Sequence, residues 1–344
     1  MCCCAVYPVR RRLYEARSTP EKPPGGGILT TVRSLLRPRR TPAFDEPLSE
    51  ILSVQVDGQA IDLHCTNGAL RLEVLAADLI RARAGPSGQA SFAPLTSYAL
   101  DPETQWPAVP FDVEDSVEAV TIRCARLTCH VSKRPCRVDF SDAKGHPLSL
   151  DAEGLGFRGR GAFCTRGLAE GEAIYGLGEK AFGLNLRGRA LELWNRDPEC
   201  YSPGDGPLYL SIPLVVGLCD GQAYGLFFDN PGRARIDLPA LPTPRPQGAR
   251  DPGSDRQDRQ VKAGNPGDQA QISRLRYEVD TGELCFYFFA GPTLPAVLER
   301  YTQLTGRMPL PPRWLLGYQQ SRWSYFPEGQ VRELAAELRR RRIP

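Results

Sequence analysis

Apolar and polar residues alternate in short runs along most of the chain, and the period changes near its end. Val54–Val56 and Ile61–Leu63 flank Asp57-Gly58, a pair that supplies the positive φ of a tight turn, so these residues are predicted to form a hairpin. Leu70 to Leu75 alternate apolar with charged. Further strand patterns run over 119–131, 136–140, 155–164, 190–195, 208–218, 223–229, 233–238 and 274–289. Many short strands at such spacing predict a mainly β protein, an antiparallel β-sandwich with one wet face per layer, as in Leu155 and Phe157 against Arg158 and Arg160. A helical period first appears at Leu294, Val297, Leu298, Tyr301 and Leu304, closed by Gly306. Leu310 to Tyr325 reads as a Pro-marked start, a buried strand and an aromatic turn. Pro327 then opens a helix with its stripe at Val331, Leu334, Ala335 and Leu338. A lone strand and helix cannot bury their faces, so a parallel sheet or barrel is expected to continue past Pro344, where the sequence stops.

This patterning divides the chain into a disordered extension (1–47), a sandwich domain (48–290), a linker helix (291–309) and the first β/α unit of a parallel sheet or barrel (310–344). Residues 1–47 mix Pro, Gly and Arg without periodicity, and 241–272 form a polar, Pro- and Gly-rich insertion with almost nothing to bury, so both are expected to be disordered. A net charge of +3 with 24% charged residues makes no electrostatic case for a nucleic-acid or membrane partner. The 11 Cys are an odd number, three of them crowded at Cys2–Cys4 in a segment with no secretory apolar core, which argues against a disulfide framework. No run reaches the eighteen or so apolar residues of a membrane helix, and a soluble cytoplasmic protein is expected.

Gly176-Leu-Gly178-Glu-Lys-Ala181 matches the spacing of a dinucleotide fingerprint, but the next residues include Gly183 and Gly188 and then alternate like a strand, where the fingerprint requires a helix. Cys124, Cys129, His130 and Cys136 raise the question of zinc. On an unbroken ribbon, Cys124 and Cys129 face opposite sides and Cys124 and His130 stand about 20 Å apart, so buried free thiols are the better reading. His64 and His146 are isolated. Asn195-Arg196-Asp197-Pro198, directly after a strand pattern, reads from its residues alone as a surface turn or as a functional loop.

The run ERYTQLTGRMPLPPRWLLGYQQSRWSYFPEGQVRELAAELRRRRIP resembles the opening of the (β/α)8 barrel of glycoside hydrolase family 31, the α-glucosidase and α-xylosidase family. Upstream, IYGLGEKAFGLNLRGRALELWNRDPECYSPGDGPLYLSIPL (Ile174–Leu214) and YGLFFDNPGRARIDL (Tyr224–Leu238) resemble its galactose-mutarotase-like N-terminal β-sandwich. The similarity spans roughly Leu48 to Pro344, less the insertion. It implies a retaining α-glycosidase, with an Asp nucleophile and an Asp acid/base on later barrel strands, neither of them in these residues. The chain would then be a fragment or truncated form, inactive alone. In this family reading Asp197 accepts a sugar hydroxyl and Arg196 supports the loop or the sugar. Tyr325 lines the glycone pocket, and Trp323 either joins it or packs between barrel and sandwich. The expected partner is an oligosaccharide or α-glucoside, and neither a metal nor an organic cofactor is implied. A non-catalytic carbohydrate-binding sandwich, or an inert truncated product, is the alternative. Glycone, linkage and oligomeric state stay open.

Overall fold

The computed structural model describes residues 44–86, 92, 97–239, 273–321 and 325–343. The disorder expected over residues 1–43 and 241–272 lies outside the described residues. Asp45–Pro47, expected within that N-terminal extension, instead form strand β1.

A meander comes next: β2 (Ile51–Asp57), β3 (Ala60–Cys65), β4 (Gly68–Ala76) and β5 (Leu79–Pro86). Then β6 (Phe111–Asp115), β7 (Ala119–Cys124), β8 (Leu127–Lys133), β9 (Cys136–Asp142) and β10 (Pro147–Ser149) make a five-stranded sheet in the order β10-β9-β8-β7-β6. The later strands are β11 (Asp151–Arg158), β12 (Gly161–Gly167), β13 (Ala173–Gly176), β14 (Arg189–Leu193), β15 (Leu214–Cys219), β16 (Gln222–Phe228), β17 (Ala234–Leu238), β18 (Arg274–Val279) and β19 (Leu284–Phe289). They complete an eight-stranded sheet, β13-β15-β16-β19-β5-β4-β3-β2, and a six-stranded one, β1-β11-β12-β18-β17-β14. Every pairing among them is antiparallel.

The meander shows how local pattern becomes layer. Gly58 turns the first hairpin at φ +57°, with Asp57 opposite Ala60. In β4, Leu70, Leu72 and Val74 are fully buried while Arg71 and Glu73 face the other way. Those two sit across from Asp62 and Arg81, and both pairs bond at 2.6 Å, so the wet face is a ladder of opposite charges.

β19 reads Leu-Cys-Phe-Tyr-Phe-Phe with no polar alternation because both of its faces are covered. Leu284, Phe286 and Phe288 enter the inter-sheet core, where Phe288 stacks on Phe140 of β9 at 4.0 Å. Phe228 of β16 stacks on Tyr277 of β18 at 3.9 Å, so the eight-stranded sheet packs on both other layers. Cys285, Tyr287 and Phe289 point outward under helix α1 (Leu294–Thr305) and meet Val297, Tyr301 and Leu304. Gly306 ends this helix at φ +90°, as its sequence predicts, and Thr293 caps its start. Asp78, in the β4–β5 turn, anchors it by holding Arg300 at 2.8 Å and Arg126 at 3.0 Å.

Three sequence expectations are corrected. The run 119–131 is a hairpin broken at Ala125-Arg126, so inward parity switches from even to odd numbers: Cys124 and Cys129 are both buried, not on opposite faces, while His130 is exposed and hydrogen-bonded to Thr121. The run 208–218 becomes strand only from Leu214, because Tyr209–Pro213 belong to a loop base. Leu310–Tyr325 contains no strand among its described residues. Arg313–Leu316 form a short 3-10 helix with Trp314 72% exposed. A parallel strand needs hydrogen-bonding neighbours on its edges, and no described strand pairs there. Helix α2 (Glu328–Arg340) does form, braced by Glu328–Arg332 and Glu337–Arg340 pairs, with an uncovered stripe: Val331 is 46% exposed. Among the described residues no helix is long and apolar enough to cross a membrane.

Candidate functional site

The site begins where β14 leaves the core. Leu191 and Leu193 are buried, Trp194 is 46% exposed, and Asn195, Arg196 and Asp197 stand in solvent. The loop beyond them is closed at its base by the amide oxygen of Asn195, which accepts the N–H of Ser211 at 2.7 Å, and by Arg196 N–H donating to the Leu208 carbonyl at 2.9 Å. Farther out, the Tyr209 hydroxyl donates to the Pro198 carbonyl at 2.9 Å and the Tyr201 ring stands edge-on to Tyr209, centroids 6.3 Å apart. Partial desolvation and, next, the Asp197 carboxylate push the Tyr209 phenol upward.

A second segment braces the loop from outside. Gly176, Leu177 and Gly178 all take positive φ (104°, 65° and 81°), and the turn they make lets Glu179 N–H reach the Leu210 carbonyl at 2.9 Å. A Cβ on Gly178 would lie 2.5 Å from that carbonyl oxygen. No helix opens here, as the strand-like alternation after Ala181 predicts, and the dinucleotide spacing serves as a bracket for the loop.

Behind Trp194 and Asn195 lies a cavity of about 670 Å³, lined also by Ser97, Ser211, Phe227 and Asp229. Asp229 is only 8% exposed; its Oδ1 accepts from the Ser97 hydroxyl at 2.6 Å, while its Oδ2 is buried without a hydrogen-bond partner among the described residues. Burial raises its carboxyl above the ordinary Asp value, against the Ser97 hydrogen bond and the charges of Arg81 and Arg83. Asn230 is structural: its amide donates to the Thr281 and Glu283 carbonyls at 3.1 Å each.

Of the four residues singled out from sequence, the structure brings Arg196 and Asp197 together on the anchored loop, and among the described residues neither side chain has a hydrogen-bond or ion-pair partner. Tyr325 is half-buried, and Trp323 lies outside the described residues. Sequence reasoning missed Ser97, Ser211 and Asp229. An Asp closing the apolar run Tyr-Gly-Leu-Phe-Phe is the one local signal of a buried acid; Ser97 and Ser211 carry none. Among the described residues no cluster of three or more His, Cys, Asp or Glu is placed to hold a metal. Cys124 and Cys164 are free thiols raised by burial to about 11 and about 12.

Comparison with known proteins places this geometry. Residues 69–237 match the glycosyl hydrolase 31 N-terminal galactose mutarotase-like domain, and residues 308–344 match the glycosyl hydrolases family 31 TIM-barrel domain. The chain is 33% identical to alpha-glucosidase 2 of Bacillus thermoamyloliquefaciens over 284 residues, which are 82% of this chain and 32% of that protein. It is 35% identical to an alpha-glucosidase of Saccharolobus solfataricus over 47% of this chain and 19% of that one. Among solved structures it is similar to a mutant GH31 dextranase of Flavobacterium johnsoniae complexed with isomaltotriose, with a TM-score of 0.71 and 26% identity over 87% of this chain and 33% of that one. It thus spans between about a fifth and a third of the length of these relatives. Two family domains in their expected order, on an antiparallel sandwich carrying the Asn-Arg-Asp loop, establish that the chain belongs to glycosyl hydrolase family 31.

Proposed function

We propose that these residues form the sugar-orienting front of a retaining α-glycosidase of the α-glucosidase type. Asp197 accepts from hydroxyls of the bound sugar, and Arg196 supports the sugar or the loop. The observation that carries the reading is how residues 195–211 are held: the Asn195 side-chain amide and the Arg196–Leu208 backbone bond anchor the base of the loop while the Asp197 carboxylate is left exposed and unpaired among the described residues. A carboxylate on a pre-anchored loop offers hydroxyls an acceptor at little ordering cost. Likeness to alpha-glucosidases, and to a dextranase complexed with isomaltotriose, supports α-linked glucose as the ligand class. Tyr325 and Trp323 would add aromatic faces for sugar C–H groups, roles carried over from the family resemblance.

Retaining hydrolysis needs two carboxyls about 5–5.5 Å apart, and the family pattern assigns both to later barrel strands. The 344 residues are therefore expected to bind sugar without cutting it. Calorimetric titration with isomaltotriose, run beside a glucose-release assay on maltose and p-nitrophenyl α-glucoside, tests this. Saturable binding without turnover, weakened about tenfold by Asp197→Ala at unchanged melting temperature, is the expected result. Affinity indifferent to Asp197, or inhibitor-sensitive turnover, would refute it.

A further inference from the structure

Asp229 follows β16 directly, and its N–H donates to the Cys285 carbonyl of β19 at 2.9 Å. One strand further across the sheet, Arg83 and Arg81 of β5 pair with Cys285 and Tyr287. Both guanidiniums already have a carboxylate: Glu283 holds Arg83 at 2.8 Å, and Glu73 holds Arg81 at 2.6 Å. Once ionised, Asp229 therefore leaves this group with one net negative charge. Its Oδ2 is buried in the wall of the cavity of about 670 Å³, without a hydrogen-bond partner among the described residues.

The rest of the wall limits what can enter. Ser97 already donates its hydroxyl to Asp229 Oδ1, and the Asn230 amide donates to the Thr281 and Glu283 carbonyls. Two buried side-chain atoms of the lining are left without a partner among the described residues, Asp229 Oδ2 and Ser211 Oγ, and both can accept. Around them the lining is apolar: Leu193, Phe227 and Phe228 are buried, and Trp194 is half-exposed. A sugar ring would bring more hydroxyls than two acceptors satisfy, and a hydroxyl buried without a partner is unfavourable. A cation with one donor-rich head and an apolar body fits better, because its head makes a charge-assisted bond to the carboxylate and aromatic walls attract positive charge. Among the described residues no three His, Cys, Asp or Glu converge, which favours an organic cation over a metal ion. We propose that the cavity behind Trp194 binds an organic cation, a primary ammonium on an aromatic or branched apolar body, through Asp229 Oδ2. This site goes beyond the sugar-orienting loop and does not depend on Asp197.

The test titrates the folded 344-residue chain by calorimetry at neutral pH, with benzylamine hydrochloride as the probe and benzyl alcohol as its uncharged counterpart. The expected result is saturable one-to-one binding of benzylamine, with benzyl alcohol about tenfold weaker or worse. Asp229→Asn keeps an acceptor for Ser97 but removes the charge, and it should weaken benzylamine by about tenfold or more at a melting temperature no lower than wild type. Ser211→Ala keeps the backbone N–H that Asn195 accepts and should weaken the probe several-fold, so the site is judged even where the Asn variant fails to fold. Asp197→Ala should bind benzylamine like wild type while losing isomaltotriose, which separates this site from the loop. Benzylamine that does not bind, binds no better than benzyl alcohol, or binds Asp229→Asn unchanged would overturn the proposal. Displacement of the probe by glucose would overturn it as well, in favour of a sugar as the occupant.

Discussion

Asn195 and Ser211, sixteen residues apart, are joined by one hydrogen bond from backbone N–H to side-chain amide oxygen, and that bond closes the loop on which Arg196 and Asp197 stand. Removing the acceptor leaves both charged side chains in place but frees the base that orients them. Asn195→Ala is expected to weaken isomaltotriose binding several-fold while costing only about 1 kcal/mol of stability, as for an exposed hydrogen bond. Calorimetry and urea denaturation on the same preparation separate the two effects.

Arg166 of β12 is fully buried and donates to the Ser149 hydroxyl at 2.9 Å, to the Ser149 carbonyl, and to the Val138 carbonyl at 2.6 Å, tying the six-stranded sheet to the five-stranded one. Arg166→Met fills similar volume but strands those acceptors and removes the positive charge that opposes the upward shift of buried Asp151. A loss of about 3 kcal/mol is expected, read as a lower urea midpoint at unchanged m-value.

Asp229 makes a prediction about pH. Its carboxyl is raised in the folded state, chiefly by burial, so the folded protein binds this proton more tightly than the unfolded chain does. Stability from this group is greatest while it is protonated and falls as pH rises from the ordinary Asp range through the raised value. Asp229→Asn keeps an acceptor for Ser97 and cannot ionise. It should therefore be more stable than wild type at pH 7, with the difference closing toward about pH 3.5. Thermal melts across that range check it; a gap that widens toward acid would contradict the sign.

Much of the fold was legible because it rests on local pattern: the Asp57-Gly58 hairpin, the alternation in β4 and the stripe of α1 each declare themselves within a dozen residues. The failures share a physical cause. A two-residue break at Ala125-Arg126 leaves the apolar count intact but reverses which side each Cys faces, and the residue series carries no mark of it. Leu310–Tyr325 has strand composition, yet strand structure is a property of neighbours as much as of residues, and no described strand pairs with it. Asp197 was visible as part of a turn beside a strand. Ser97 and Asp229, bonded across 132 residues, were not, since nothing near either one names the other.

The central claim, that the 195–211 loop of the sandwich is where sugar is held, is tested most directly by mapping amide shifts of the 344-residue chain during titration with isomaltotriose. Saturable shifts concentrated on Asn195–Ser211, absent in Asp197→Ala, are the predicted result. Shifts confined to another face of the sandwich, or none at millimolar sugar, would contradict it.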